Sequence, residues 1–436
     1  MSDVVEVQTV DGPVHASIRP PGSKSLTNRA LVVAALAARA SAHHSACRLS
    51  GVLDSDDTRV MIDSLRRLGW RIEQELQTCT VTLDGRDPAA LLPPPAVNNL
   101  WLENSGTSIR FLSALSAALT DGCRVRLDGN ARMRERPIQP LVDALGAWGA
   151  DAACELGTSC PPVTVTARGL PAAVVPVSGD LSSQYLSALL MAAPAAAGDV
   201  TLRVEGPLVS RPYIDMTLAV MRAYGAQIEE PEPNRFHISA AGYRPVDYDV
   251  EPDASAASYF FAVAAVTGGR VTVEGLHRHS LQGDVGFVDV LEQMGCQVQW
   301  HANAITVTGG TLRGVDVDMN AISDTAQTLA AVAPFATGPT RIRGVAHMRL
   351  KETDRVSAVV TELHKLGLRV EEFDDGMLIE PGPMHPASIA TYDDHRMAMS
   401  FAVLGLRQPG VRIESPGCTS KTYPRFFADL DRVCGR

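Results

Sequence analysis

Residues 56–74 read DDTRVMIDSLRRLGWRIEQ, and the arrangement returns four more times. The copies are ERPIQPLVDALGAWGADAACE at 135–155, SRPYIDMTLAVMRAYGAQIEE at 210–230, GDVGFVDVLEQMGCQVQW at 283–300 and ETDRVSAVVTELHKLGLRVEE at 352–372. Each reads as an amphipathic helix, a glycine, then the start of a strand. Leu65/Leu68, Leu141/Leu145, Leu218/Met221, Val290/Met294 and Leu363/Leu366 keep the three-or-four spacing of a buried helix face. Gly69, Gly149, Gly225, Gly295 and Gly367 stand where a left-handed helix cap belongs, separated by 80, 76, 70 and 72 residues. KTYPRFFADLDRV at 421–433 begins a sixth copy and runs out of chain. The N-terminal strand Val4–Thr9 is expected to complete it in space.

A second family of segments lies between these. It comprises SKSLTNRALVVAALA, SGTSIRFLSALSAAL, LSSQYLSALLMAAPAA, SAASYFFAVAAVTGG, DTAQTLAAVAPFATG and DDHRMAMSFAVLGL. Helices so apolar and so small on most sides belong inside a layered α/β domain. Short strands follow them, among them RVRLDG, VTLRVEG, RVTVEG and TRIRG. The chain therefore holds six β-α-β-α-β-β units. Its 436 residues exceed one domain of ~150, and two globules of three units suit the size prior. Breaks fall at Pro20-Pro21-Gly22 and at Tyr248–Asp253. The expected domains are 1–22 with 253–436, and 23–252. Two chain crossings at one place make a hinge, where ligand-driven closure is usual.

Composition narrows the function. At 45% hydrophobic and 20% charged, the chain carries enough apolar surface to fold, which excludes a long disordered protein. A net charge of −10, from 39 basic and 49 acidic residues, excludes a broadly basic nucleic-acid binder. It leaves room for a locally positive anion site. No apolar run approaches the ~20 residues of a membrane span, and no export signal is seen, so a cytoplasmic protein is expected. The eight cysteines include no C-x-x-C pair and read as scattered thiols. The histidines form no zinc pattern, and His43–His44 reads as a loop.

Polar residues collect at the starts of the alanine-rich helices: Ser25/Arg29, Thr107/Arg110, Ser182/Ser183/Gln184, Asp324 and His395/Arg396. Helix N-termini present unpaired N–H groups and favour anions. Taken singly, Ser23, Asn104 and Ser182 read as helix caps. Recurrence in several units, each with an added Arg or amide, points instead to a shared anion site. RMRERP adds Arg132, Arg134 and Arg136, and VSRPY adds Ser210, Arg211 and Tyr213. RLKETDR adds Arg349, Lys351, Glu352, Asp354 and Arg355, and CTSKTYP adds Lys421. Singly, such charge runs read as solvated helix starts. Neither G-x-x-x-x-G-K-[ST] nor G-x-G-x-x-G occurs, so a nucleotide P-loop is not indicated.

In combination, PPGSKSLTNRALVVAALA, ENSGTSIRFL, MRERPI, DLSSQYLSALLMAAP, VSRPYIDMT, DASAASYFF, LQGD, DMN, SDTAQT, KETDR, YDDHRMAMSF and CTSKTYPRFF resemble the 5-enolpyruvylshikimate-3-phosphate synthase family. The resemblance runs from near residue 15 to the C-terminus. It implies two similar domains of three units each (an inside-out α/β barrel) that close on their substrates. It implies transfer of a carboxyvinyl group from phosphoenolpyruvate to the 5-hydroxyl of shikimate 3-phosphate, in aromatic amino-acid biosynthesis. Carried over residue by residue, Lys24, Ser182, Ser183 and Ser210 hold the shikimate phosphate, and Ser25, Arg29, Gln184 and Tyr213 surround the ring and carboxylate. Asp324, His347 and Lys351 complete that substrate's contacts. Lys24, Gly106, Thr107, Arg110, Arg136, Gln184, Arg355, Arg396 and Lys421 form the phosphoenolpyruvate site. Planar guanidinium groups suit a carboxylate and a phosphate.

The same resemblance makes Asp324 the base at the 5-hydroxyl, sharing the proton with Lys24. Glu352 becomes the group that protonates and deprotonates the methylene carbon. Helix capping for Asp324, and an ion pair of Glu352 with Lys351 or Arg355, are the plain structural alternatives. No cofactor and no metal are expected; the partners are the two small substrates, with no nucleic acid or membrane, and the chain is expected to be a monomer. His347 stands where the family often has Asn, and Phe111 where Pro is common, which bears on inhibitor fit. Two rivals remain at this point: the sister transferase acting on UDP-N-acetylglucosamine, and a non-catalytic phosphoester-binding repeat protein. The first usually carries a reactive-loop Cys near the region that here reads MRERP. The second would not need Asp324 or Glu352.

Overall fold

A computed structural model describes residues 3–40, 46–93, 96–179 and 182–436; the His43–His44 pair lies outside them. Twelve α-helices occur among these residues. They are α1 (Lys24–Ala40), α2 (Asp56–Arg67), α3 (Gly106–Ala118), α4 (Gln139–Ala147), α5 (Ser183–Ala192), α6 (Arg211–Ala223), α7 (Ala254–Thr267), α8 (Phe287–Gln293), α9 (Ala326–Val332), α10 (Arg355–Lys365), α11 (His395–Gly405) and α12 (Phe426–Val433). The odd-numbered helices are the alanine-rich segments and the even-numbered ones the amphipathic segments. The five cap glycines all have positive φ, from 85° at Gly225 to 109° at Gly295. Gly435 follows α12 with φ 78°, so the sixth copy keeps its glycine too, a match the sequence reading missed.

Contacts divide the chain into Gly22–Val250, called here the inserted unit, and Met1–Pro21 with Glu251–Arg436, the flanking unit. Each is built on three small sheets. In the inserted unit, Val97–Trp101 runs parallel to Arg124–Asp128, which pairs antiparallel with Val163–Thr166, and that strand with Asp151–Cys154. Parallel neighbours need a long crossover, and α3 supplies it. The Ala173–Ser178/Val200–Glu205 pair in the same unit and the Asp316–Asp318/Thr340–Arg343 and Ala387–Ile389/Val411–Glu414 pairs in the flanking unit repeat the pattern around α5, α9 and α11.

The two remaining sheets exchange their leading strands. His15–Ile18 precedes α1 in the chain yet pairs with Arg270–Val273, the strand after α7. Tyr248–Asp249, read from sequence as part of a break, precedes α7 yet pairs with Leu49–Ser50, the strand after α1. A proline-rich junction and a two-residue strand leave little periodicity to read. Val4–Glu6 pairs antiparallel with Arg412–Glu414 and completes the sixth sheet, as expected.

Each unit has one apolar core. Helices α1, α3 and α5 bury all-round faces in one, and α7, α9 and α11 in the other. Alanine lets these helices pack closely, and their first turns are then the places where polar side chains gather. Trp70 ties a sheet to α1 by donating its indole N–H to the Ala35 carbonyl at 2.7 Å. Phe260 and Phe261 on α7 are buried, and truncating either to Ala should cost about 3–5 kcal/mol.

Candidate active site

The inserted unit presents Arg110 and Arg29 on neutral partners. Arg110 sits one turn into α3 and donates from Nη1 to the Gly106 carbonyl and to Gln184 Oε1, both at 2.9 Å. Its Nη2 donates to the Pro137 carbonyl at 3.0 Å, and the guanidinium lies over the Tyr185 ring. Arg136 Nη1 donates to the Asn104 carbonyl at 3.1 Å and to Asn104 Oδ1 at 3.0 Å. Asn104 therefore does not cap α3; Ser105 does, accepting Ser108 N–H at 3.4 Å. The expected cap failed because the amide is committed to a distant arginine. Ser23 and Ser182 do cap, accepting from Leu26 N–H at 3.4 Å and Gln184 N–H at 3.3 Å.

Arg29 is buried beneath these groups. Its Nε donates to Thr217 Oγ1 at 2.7 Å, its Nη1 to the Ser25 carbonyl at 2.9 Å, and its Nη2 to Ser187 Oγ and the Tyr213 carbonyl, each at 3.3 Å. Burial lowers its pKa to about 10, which still leaves it charged at neutral pH. Its charge faces the rings of Phe111 and Tyr213 at 5.3 and 5.9 Å. Phe111 sits inside an unbroken α3. Lys24 Nζ stands 3.4 Å from Asp57 Oδ2 at the first turn of α2. Ser183, Ser210 and Thr107 are buried at helix starts, and Ser210 adopts a left-handed φ of 54°. Gly106 lies so close to the arginines that an alanine methyl there would overlap Arg136 Nη2 and come within 2.5 Å of Arg110 Nη1.

In the flanking unit the cations sit on acids. Arg355, the first residue of α10, donates from Nε to Asp394 Oδ2 at 2.7 Å, from Nη2 to Glu352 Oε2 at 2.8 Å and from Nη1 to Asp324 Oδ1 at 3.3 Å. Arg396 donates from Nη2 to Asp324 Oδ2 at 2.7 Å, and Lys421 Nζ stands 3.6 Å from Glu352 Oε1. Burial opposes the charge on Arg355, but Asp394, Glu352 and Asp324 outweigh it and hold the guanidinium above its ordinary pKa. Asp324 is not a helix cap: it lies in a 3-10 turn, Asn320–Thr325, and Thr325 holds the cap position of α9. For Glu352 the ion pair with Arg355 is present. His347 Nε2 lies 2.9 Å from Ser323 Oγ; burial, then the charge of Lys351, pushes its pKa down to about 4, so the ring is neutral.

Each charge run sorts into surface and site. Arg132 and Arg134 pair with Glu135 and Asp128, whereas Arg136 is buried. Arg211 pairs with Asp215 and Glu230, and Arg349 with Asp354 and Glu372. The solvated reading holds for these four.

The profile of the family described as EPSP synthase (3-phosphoshikimate 1-carboxyvinyltransferase) matches residues 9–430. The chain belongs to the EPSP synthase family. A 3-phosphoshikimate 1-carboxyvinyltransferase of Nostoc punctiforme is 48% identical over 427 residues, spanning 98% of each chain. The chloroplastic relative from Brassica napus is 47% identical, covering 96% of this chain and 83% of its own. Among solved structures, the EPSP synthase from Acinetobacter baumannii superposes with a TM-score of 0.79 at 25% identity, covering 99% of this chain and 98% of that one.

Three acids of this EPSP synthase family member that lie against candidate site residues escaped the sequence reading: Asp57 beside Lys24, Asp284 near Asp324, and Asp394 beside Arg355. Asp394 caps α11, accepting Arg396 N–H at 2.9 Å, while binding Arg355. Its signal was an Asp directly before a helix that opens with His-Arg. Asp284, in the quoted LQGD motif, accepts a hydrogen bond from Ser255 Oγ. Burial, then the charge of Asp324, raises its pKa to about 7.

Proposed function

We propose that this chain transfers the carboxyvinyl group of phosphoenolpyruvate to the 5-hydroxyl of shikimate 3-phosphate and releases phosphate. The observation that carries this reading is the flanking-unit cluster in which Asp324 and Glu352 share Arg355. An anion-binding protein without chemistry needs the arginines; it has no use for two acids set among them. The shikimate phosphate is assigned to Ser182, Ser183, Ser210 and Lys24, and the ring to Ser25, Arg29, Gln184, Tyr213, His347 and Lys351. Phosphoenolpyruvate is assigned to Lys24, Thr107, Arg110, Arg136, Arg355, Arg396 and Lys421, beside Gly106.

The reaction is an addition followed by an elimination. The 5-hydroxyl oxygen bonds to carbon 2 of phosphoenolpyruvate, its proton passing to Asp324 and shared with Lys24. The methylene carbon takes a proton from Glu352 and becomes a methyl group. In the second step the methyl returns that proton to Glu352, the carbon–oxygen bond to phosphate breaks, the double bond re-forms, and the departing phosphate takes up the proton that Asp324 had accepted. Bound phosphoenolpyruvate competes for Arg355 and Lys421. Drawing these cations away from Glu352 favours the protonated carboxyl that the addition requires.

Because the assigned residues divide between the two units, we read the double crossing as a hinge: shikimate 3-phosphate binds mainly to the inserted unit, and the flanking unit brings the acids. Solution scattering should show compaction on saturation with shikimate 3-phosphate. We place the reaction in a reducing, cytoplasmic compartment, consistent with eight free cysteines, and assign it to the monomer. The deciding experiment measures phosphate release from purified protein given phosphoenolpyruvate with shikimate 3-phosphate or with UDP-N-acetylglucosamine. Release with the second acceptor alone, or with neither, would overturn the reading.

A further inference from the structure

The corner that delivers Asp394 is unusual in its backbone. Tyr392 and Asp393 are consecutive non-glycine residues with φ 54°. Side chains rarely adopt this conformation, and it persists where the surroundings fix it. Prominent in these surroundings is Glu362, fully buried on α10. Its Oε2 accepts Ala390 N–H at 3.1 Å. Its Oε1 accepts the Tyr392 hydroxyl at 2.6 Å and Lys365 Nζ at 2.8 Å. Glu362 lies seven residues after Arg355, on the same helix face. A single helix thus grips residues 390–394 at two heights, through Glu362 at Ala390 and Tyr392 and through Arg355 at Asp394.

We propose that Glu362 is a positioning residue for the phosphoenolpyruvate clamp. It fixes the Ala390–Asp394 corner against α10, and through Asp394 it sets both the Arg355 guanidinium and the start of α11, which carries Arg396. The inference rests on the assignment of Arg355 and Arg396 to phosphoenolpyruvate. A buried carboxylate that served stability alone would have no reason to affect one substrate more than the other.

The test uses the full chain with Glu362→Gln and, separately, Tyr392→Phe. The glutamine keeps the shape but turns a donor amide towards donors. The phenylalanine removes one strut from an exposed ring and leaves the buried carboxylate in place. Steady-state kinetics with both substrates, titration of shikimate 3-phosphate alone and thermal melting are measured for each. Glu362→Gln should raise the KM for phosphoenolpyruvate by roughly 10- to 100-fold, the scale of a displaced positioning group. Tyr392→Phe should raise it less, and the dissociation constant of shikimate 3-phosphate should stay unchanged in both. If Glu362→Gln does not fold, Tyr392→Phe decides. An unchanged KM for phosphoenolpyruvate in the folded variants, or equal weakening of both substrates, overturns the proposal. Absence of turnover in the unaltered protein overturns the parent reading instead.

Discussion

The two units hold arginine in opposite ways. In the inserted unit, Arg29 and Arg110 are fixed by carbonyls, hydroxyls and an amide, so their charge stays available. In the flanking unit, Arg355 and Arg396 are fixed by Asp324, Glu352 and Asp394, so the charge is balanced in place. Neutral partners build a standing anion site, since a hydrogen bond orients a guanidinium without cancelling its field. Carboxylate partners build a site that an incoming anion must reorganise, and the acids it displaces are then able to exchange protons. One arrangement suits holding a phosphate, the other suits moving a proton.

The sharpest way to break this comparison is to delete one arginine from each side. Arg355→Ala leaves Asp394 buried without its main partner and should lower stability by about 3–5 kcal/mol. Arg110→Ala strands neutral acceptors, the Gly106 and Pro137 carbonyls and Gln184 Oε1, and should cost about 1 kcal/mol, the scale of a net hydrogen bond. Denaturant titration of both variants reads the difference, and equal losses would erase the distinction. Next in size, Glu352→Gln and Asp324→Asn should each cut turnover by roughly 100-fold or more. Affinity for phosphoenolpyruvate should not fall in either, because each removes a competitor for the cations. Single-turnover kinetics with a binding titration checks both halves.

A smaller effect is expected at Gly106, where a methyl group would meet the two standing arginines themselves. Gly106→Ala should weaken glyphosate, an inhibitor of this family that competes with phosphoenolpyruvate, and to a lesser degree phosphoenolpyruvate. The inhibition constant and the Michaelis constant, measured side by side, test this; equal shifts would refute a steric effect specific to the longer ligand. The last effect is one of pH. The Asp284 carboxyl is raised from 3.8 to about 7, so the folded state holds its proton where the unfolded chain has lost it. That contribution is fully present below 3.8 and is lost as pH rises through about 7. Asp284→Asn cannot lose a proton, so its stability should decline less over this window, as melting temperatures at several pH values will reveal.

What was legible in the sequence was whatever repeats. Cap glycines and alanine-rich helices recur at a fixed spacing because each unit solves the same packing problem, and the six-fold architecture follows from them. Candidate anion-binding residues stood out in the sequence because they cluster at helix starts. Asp57, Glu362 and Asp394 were not, because each acts on a residue 28–39 positions away or on another element altogether. No local period encodes such a partner. Asn104 shows the same limit: read locally it is a cap, and the distant Arg136 claims it.

The pairing of Val4–Glu6 with Arg412–Glu414 carries a consequence for how the protein is made. The inserted unit is one continuous stretch and can fold while the ribosome is still at work. Val4–Glu6 must wait about 400 residues for its partner, roughly 20–80 s at ordinary rates of translation. Until then that sheet of the flanking unit lacks the pairing, and the strand stays open to other partners while the inserted unit is made.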